Sequence, residues 1–205
     1  MRITYLAAGF VIVMFLSSCG PEEWIPLFDG ETLNGWEASE NKDSWKIIDG
    51  AIVTDGPRSH LFYAGEVMNH DFKNFELVAD VMTETSANSG IYIHTEYQEE
   101  GWPAKGYECQ VFCSKPEVDP GQYVEHKMTG SIYAIRNTWK SPVADNEWFR
   151  YRITVRGKTI SCYINEELIT EYTEPDDPYR PEGFPRRCGQ DSTLCRAQKW
   201  LLKER

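Results

Sequence analysis

The chain has 205 residues, 41% of them hydrophobic and 13% aromatic, which is enough for one domain with its own core. Its 21 Lys and Arg stand against 32 Asp and Glu, giving a net charge of -11. That balance excludes nucleic acid as a partner, because a phosphate backbone asks for a clustered basic surface. No phosphate loop, nucleophile elbow or dinucleotide fingerprint occurs, which sets aside the enzyme classes built on those devices.

Arg2 and the apolar run Ile3 to Leu16 form an N-terminal segment too short for a comfortable membrane span. It ends in Leu16, Ser17, Ser18, Cys19, and small residues before a cysteine are similar to the lipobox of bacterial lipoproteins. The expectation is a signal peptide over 1–18 and a tether over 19–23 that begins with lipidated Cys19. That puts the protein in the bacterial cell envelope, held at a membrane through its lipid anchor and facing the periplasm or the surface. Of the other cysteines, five in number, Cys109 and Cys113 lack the second ligand pair of a structural zinc site. Cys162, alternating with Ile160 and Ile164, reads as a small core residue.

From Trp24 onward the pattern is one of short strands. Trp24 to Phe28 is a first strand; residues 45–48 and 51–54 form a hairpin around Asp49-Gly50, whose residues supply the positive dihedrals of a tight turn. His60 to Tyr63 is another short strand. Phe75, Leu77, Ala79 and Val81 share one face of a long strand over 75–83. After two loops at 97–106 and 114–126, strands are expected at 131–135, 148–155, 159–164 and 168–172. Their turns fall at Gly157-Lys158 and at Asn165 to Glu167. Nearly helix-free, this spacing indicates an antiparallel sandwich.

Three of these stretches carry polar groups where a plain wall would serve. In the stretch Ser86 to Glu96, read as a strand, Ile91 and Ile93 take one face, leaving Tyr92, His94 and Glu96 on the other. In the next strand Tyr107, Cys109 and Val111 oppose Glu108, Gln110 and Phe112. If the apolar faces meet the core, the outer surface collects an imidazole, carboxylates, an amide and rings. Glu96 and Glu108 could flank a glycosidic bond as an acid and base pair, although sequence spacing does not set their separation. A histidine and carboxylates on adjacent strands could also chelate a divalent ion, but no dense ligand motif is present and the cofactor stays open.

The A-N-S-G-I-Y run (Ala87 to Tyr92), the G-Y-E-x-Q strand (Gly106 to Gln110) and the T-G-S-I-Y run (Thr129 to Tyr133) resemble, in this order, motifs of the 3-keto-disaccharide hydrolase family. The likeness opens at L-F-D-G-E-T-L-N-G-W, Leu27 to Trp36, and runs to about Glu174. It implies a domain over 24–183 of the all-β class, a concanavalin A-like (laminin G-like) antiparallel jelly-roll sandwich. It also implies a chemistry in carbohydrate catabolism: a sugar already oxidised at carbon 3 loses its carbon 2 proton to a base, the bond at carbon 1 breaks by elimination, and water adds to the enone. On this reading Glu108 and His94 are the catalytic candidates, with Asn88, Glu96, Gln110, Tyr133 and Arg136 as substrate-binding candidates. Tyr92, Tyr107 and Trp102 are candidates for stacking on sugar rings. A separate sugar oxidoreductase would have to supply the 3-keto-glycoside. The alternative is a non-catalytic, membrane-anchored, lectin-like module using the same face.

Residues 184–205 depart from that family pattern. They turn basic and show no period of two, so the expectation is incomplete C-terminal strands, through a reading-frame change near Phe184 or, alternatively, a helical extension.

Overall fold

In the computed structural model the described residues are 23–177 and 195–204. They form twelve strands, numbered here in chain order, with all pairings antiparallel. The larger layer runs β11 (Glu167–Thr173), β10 (Thr159–Ile164), β9 (Phe149–Arg156), β6 (Phe75–Thr83), β12 (Cys195–Glu204), β4 (Ala51–Thr54) and β3 (Trp45–Ile48). β1 (Ile25–Pro26) adds to β12. Facing this layer is the pair β7 (Asn88–Ile93) and β8 (Tyr107–Phe112), and to its side lies the pair β2 (Trp36–Ala38) and β5 (Leu61–Tyr63).

The core sits where the period of two puts it. Phe75, Leu77, Ala79 and Val81 of β6, the odd residues Phe149 to Val155 of β9, and Ile160, Cys162 and Ile164 of β10 are all buried. They pack as one cluster against Ile91 and Ile93 of β7, Cys109 and Val111 of β8, and Ile132. The turns follow local chemistry: Asp49 and Gly50 both take positive φ (52° and 70°), as do Asn165 and Glu166 (47° and 68°), which suits tight two-residue hairpins. The all-β antiparallel sandwich is therefore as expected, and Cys162 is a buried core thiol; Cys109 and Cys113 are likewise free and buried.

Three expectations at the level of elements need correction. The strand expected over 131–135 is instead a bonded edge followed by a tight turn. Residues 129–133 hydrogen-bond along the outer edge of β8, and then Ile132 and Arg136 exchange backbone bonds around Ala134 at φ 61°. β2 has no counterpart in the sequence reading. The largest correction concerns the C-terminus, since residues 195–204 do complete the larger layer. β12 lies between β6 and β4, pairing residues 195–197 with β4 and residues 195–198 and 201–204 with β6. The register shifts between Gln198 and Leu201, so the one extra residue of a bulge puts the two halves of the strand out of phase. Read at one phase, the strand shows no period of two. Residues 1–22, 178–194 and 205, including the expected signal peptide, Cys19 and most of the expected tether, lie outside the described residues.

Leu202 is 1% exposed, pairs with Leu77 on one side and Ile25 on the other, and belongs to the core cluster. Leu202→Ala should lower unfolding free energy by about 2–5 kcal/mol, measured by chemical denaturation. Deletion of residues 195–205 should leave the protein without a cooperative transition, because β6 and β4 would lose a shared partner.

Candidate active site

β8 is bonded along both edges. On one side it pairs with β7 so that Tyr92 stands opposite Glu108, Gly90 opposite Gln110 and Asn88 opposite Phe112. On the other, Gln110 and Ser131, Gly130 and Gln110, and Tyr133 and Glu108 share backbone hydrogen bonds. Both edges being fixed, the outward residues of β7 and β8 have defined neighbours.

Glu108 is 9% exposed. The Tyr92 hydroxyl donates to its Oε2 at 3.2 Å, and the side chain lies over Gly90, where a Cβ would come within 2.5 Å of Glu108 Oε1. Glycine is needed here for that close approach. Beyond Gly90 on the same face is Asn88, whose Oδ1 accepts from the Gln110 Nε2 at 2.8 Å. Gln110 is fully buried, and its Oε1 has no hydrogen-bond partner among the described residues. Asn88, Gly90, Tyr92 and Glu108 line a cavity of about 1190 Å³ that also takes in His60 and Trp102.

The part of the cavity lining next to Tyr92 was not legible as a site in the sequence. His60 meets Tyr92 edge-on with ring centroids 5.8 Å apart and Trp102 at 5.3 Å. Burial pushes its pKa down to about 4, with the Glu40 charge opposing and Arg58 adding to the fall, so the ring is neutral at pH 7. Its Nδ1 is enclosed without a hydrogen-bond partner among the described residues. Arg58 grips Glu40 with two hydrogen bonds of 2.7 and 3.0 Å, and Glu40 Oε1 also accepts from the Gly101 backbone at 3.0 Å. The guanidinium stands 5.2 Å from the Trp102 ring centroid. This clamp fixes the 97–106 loop, and with it Trp102, against the cavity.

On the other side of Glu108 is a carboxylate that is already fully engaged. Glu125, 5% exposed, accepts from the hydroxyls of Tyr133 (2.6 Å) and Tyr123 (3.1 Å), from the Lys127 ammonium (2.9 Å) and from the backbone of His126 and Lys127. Burial would raise its pKa, but these donors outweigh burial and bring it down to about 2. Tyr133 is pushed the other way, by burial first and then by its bond to Glu125, with a smaller contribution from Glu108. Its hydroxyl stays neutral and committed.

Of the residues singled out from sequence, the structure gathers Glu108, Asn88, Gln110 and Tyr92 on one face, with Tyr133 beside them and Trp102 in the lining of the same cavity. His94 departs from the expected alternation. It follows the end of β7 at φ 52°, and its exposed ring bonds the Lys73 carbonyl (3.2 Å) and packs at 5.9 Å from Phe75, towards β6. Glu96 lies in the following loop and pairs with Lys105 at 2.7 Å in solvent. Arg136 stacks over Tyr172 at 5.6 Å, and Tyr107 faces the core side, its hydroxyl on Glu174. Those four make these contacts elsewhere than with Glu108, although His94 and Glu96 line the same cavity. No three or more His, Cys, Asp or Glu side chains converge as metal ligands among the described residues.

Two depressed pKa values, those of His60 and Glu125, set a pH dependence of stability. The unfolded chain takes up protons on His60 from its ordinary 6.5 and on Glu125 from 4.5, whereas the folded chain resists to about 4 and about 2. Stability should thus be full above pH 6.5 and fall in two windows, 6.5 to 4 and 4.5 to 2. Denaturation midpoints across pH should lose the upper slope in His60→Phe and the lower slope in Glu125→Gln. A His60 ring resonance titrating near 6.5 in the folded protein would contradict this.

Comparison with known proteins bears on the same span. A sequence model of the 3-keto-alpha-glucoside-1,2-lyase-like domain matches residues 23–189. A 3-keto-disaccharide hydrolase of Bacteroides thetaiotaomicron is 28% identical over 169 residues, covering 73% of this chain and 58% of that protein. The chain thus spans little more than half the length of that relative. Among solved structures, a candidate glycosyl hydrolase of Parabacteroides distasonis superposes with a TM-score of 0.72 at 19% identity, covering 89% of this chain and 94% of the other. Another from the same organism gives 0.65 at 21%, covering 89% and 100%. These structural likenesses speak to the fold, while the domain match takes in all but the last of the strands described above. The chain belongs to the family of the 3-keto-alpha-glucoside-1,2-lyase-like domain.

Proposed function

We propose that this protein cleaves 3-keto-glycosides by elimination and rehydration, with Glu108 as the base. The observation that carries the reading is the Glu108 carboxylate, nearly buried yet laid over Gly90 at the wall of a cavity. A ketone at carbon 3 acidifies the carbon 2 hydrogen. Glu108 takes that proton, and the electron pair moves through carbon 3 onto the ketone oxygen. The charge then returns to expel the oxygen on carbon 1, which takes the proton from Glu108 and leaves as the alcohol, and an enone remains with its double bond between carbons 1 and 2. Water adds its oxygen at carbon 1, Glu108 takes up the proton that water releases, and that solvent-derived proton passes to carbon 2. One positioned base is worth about 10² to 10⁴-fold.

Direct hydrolysis would need a second carboxylate across the bond. Neither neighbour suits that role, since Glu96 is paired with Lys105 in solvent and Glu125 is held ionised by its donors. Tyr92, Trp102 and His60 give the cavity an aromatic wall of the kind on which sugar rings pack. His94, exposed at the end of β7, is not assigned the base in this reading. The keto substrate is made by a separate sugar oxidoreductase, because the step requires a ketone at carbon 3 and forms none.

Wild-type protein should cleave a 3-keto-glucoside and leave the unoxidised glucoside intact, and in deuterated water the product should carry deuterium at carbon 2. Glu108→Gln should lower turnover by about 10² to 10⁴-fold, and Gly90→Ala, which pushes a methyl into the carboxylate, should lower it while the protein stays folded. Equal cleavage of ordinary glucosides would overturn the reading. Binding of glycans without cleavage of either type would return the lectin-like alternative.

The anchor belongs to the same proposal: Cys19 carries the lipid that holds the domain in the cell envelope. Cys19→Ala should abolish lipidation, seen as loss of acyl mass and release from the membrane fraction. An unchanged mass and partition would count against it.

A further inference from the structure

The face that holds Glu108 also contains an amide pair whose polarity can be worked out. Gln110 is fully buried and donates from Nε2 to Asn88 Oδ1 at 2.8 Å, leaving its own Oε1 without a partner among the described residues. The reverse assignment, with Asn88 donating to Gln110, would instead enclose an NH₂ and its two donors with nothing to bond. The observed orientation leaves one acceptor and one N–H unmet among the described residues, the reverse leaves two N–H donors, and an unmet acceptor costs less than an unmet donor, so the observed orientation is the preferred one. The place of Gln110 on the strand is fixed as well, because its backbone is held by Ser131 and Gly130 on the outer edge of β8.

The consequence falls on Asn88, which lines the cavity. With its carbonyl oxygen turned to Gln110, its NH₂ is the group left for the cavity side. Asn88 and Gly90 lie on the same face of β7, two residues apart and so about 6.6 Å along the strand, and the Glu108 carboxylate occupies the space above Gly90. A carboxylate acceptor and an amide donor therefore stand side by side over β7. The reacting carbon 2 and the ketone oxygen on carbon 3 are separated by only two bonds, so a sugar that gives its carbon 2 proton to Glu108 brings its ketone oxygen to the neighbouring group.

We infer that Asn88 Nδ2 donates to the carbon 3 oxygen as charge develops on it, and that Gln110 is a positioning residue that holds Asn88 in that orientation. The inference rests on the keto-sugar reading and adds what that reading lacks, a donor for the enolate oxygen. As the carbon 2 proton passes to Glu108, the electron pair it leaves is spread onto the carbon 3 oxygen, where a donor already in place lowers the barrier.

Asn88→Asp decides it most directly. The aspartate still accepts from Gln110 Nε2 but turns a carboxylate oxygen to the cavity. In the full chain kcat on a 3-keto-glucoside should fall about 10² to 10³-fold, with KM changed far less and the melting temperature close to wild type. Gln110→Met should lower kcat in the wild-type background, approaching about 10²-fold, yet cause no further loss when combined with Asn88→Ala, since Gln110 acts only through Asn88. Equal losses from Gln110→Met in both backgrounds would overturn the positioning role. If Gln110→Met fails to fold, Asn88→Asp alone carries the test. An Asn88→Asp variant with unchanged kcat, beside an inactive Glu108→Gln, would overturn the donor assignment and leave the base intact. Wild-type protein inert towards the 3-keto-glucoside, or Glu108→Gln as active as wild type, would overturn both readings together.

Discussion

The structure depends on β8 being bonded on both edges. β7 holds one side and residues 129–133 hold the other, so a six-residue strand behaves as the middle of a sheet. Because its side chains alternate, that rigidity is delivered to two places at once. Cys109 and Val111 face inward against β9 and β10 residues of the core cluster, while Glu108 and Gln110 face outward into the site. A slip of one residue would exchange the two faces, putting a carboxylate among isoleucines. Core packing therefore fixes the register of the chemistry.

The second constraint is how few groups around Glu108 remain uncommitted. Glu125 is consumed by two tyrosines, a lysine and two backbone amides. Glu40 is consumed by Arg58 and the Gly101 amide, and through them it steadies Trp102. Charges are thus plentiful but mostly spent on holding loops to the β7 and β8 face. Within that frame the neutral His60, with its imidazole enclosed between Tyr92 and Trp102, shapes the cavity without adding charge to it.

Local pattern was enough to read most strands, because β6, β9 and β10 alternate cleanly and their hairpins carry residues that accept positive φ. The same alternation put Tyr92, Glu108 and Gln110 on the face away from the core isoleucines, where the structure has them. It failed where geometry breaks the period. His94 was assigned to the site face by counting in twos, but its positive φ turns the ring towards Phe75, so that it lines the cavity away from Glu108's partners. β12 was dismissed because a bulge splits its pattern. His60 gave no signal at all, since a single histidine opening a short strand is unremarkable until Trp102 and Tyr92 arrive from distant parts of the chain. Arg136 and Glu96 sat beside the right motifs in sequence but follow turns that carry them to other neighbours.

The central position of β12 has a consequence for how the molecule is made. The strand that joins β6 to β4, and that also receives β1, is the last of the twelve to be synthesised. Until it arrives, the larger layer exists only as two separate fragments, one of β3 and β4 and one of β6 with β9, β10 and β11, each with an open edge. Closing the gap joins residues more than a hundred positions apart in one step, the kind of non-local pairing that makes folding slow. Open edges waiting for a partner are also the surfaces on which chains add to one another. A newly made chain is therefore most exposed to mispairing just before its final strand is available, so the interval before β12 docks should govern the yield of folded protein.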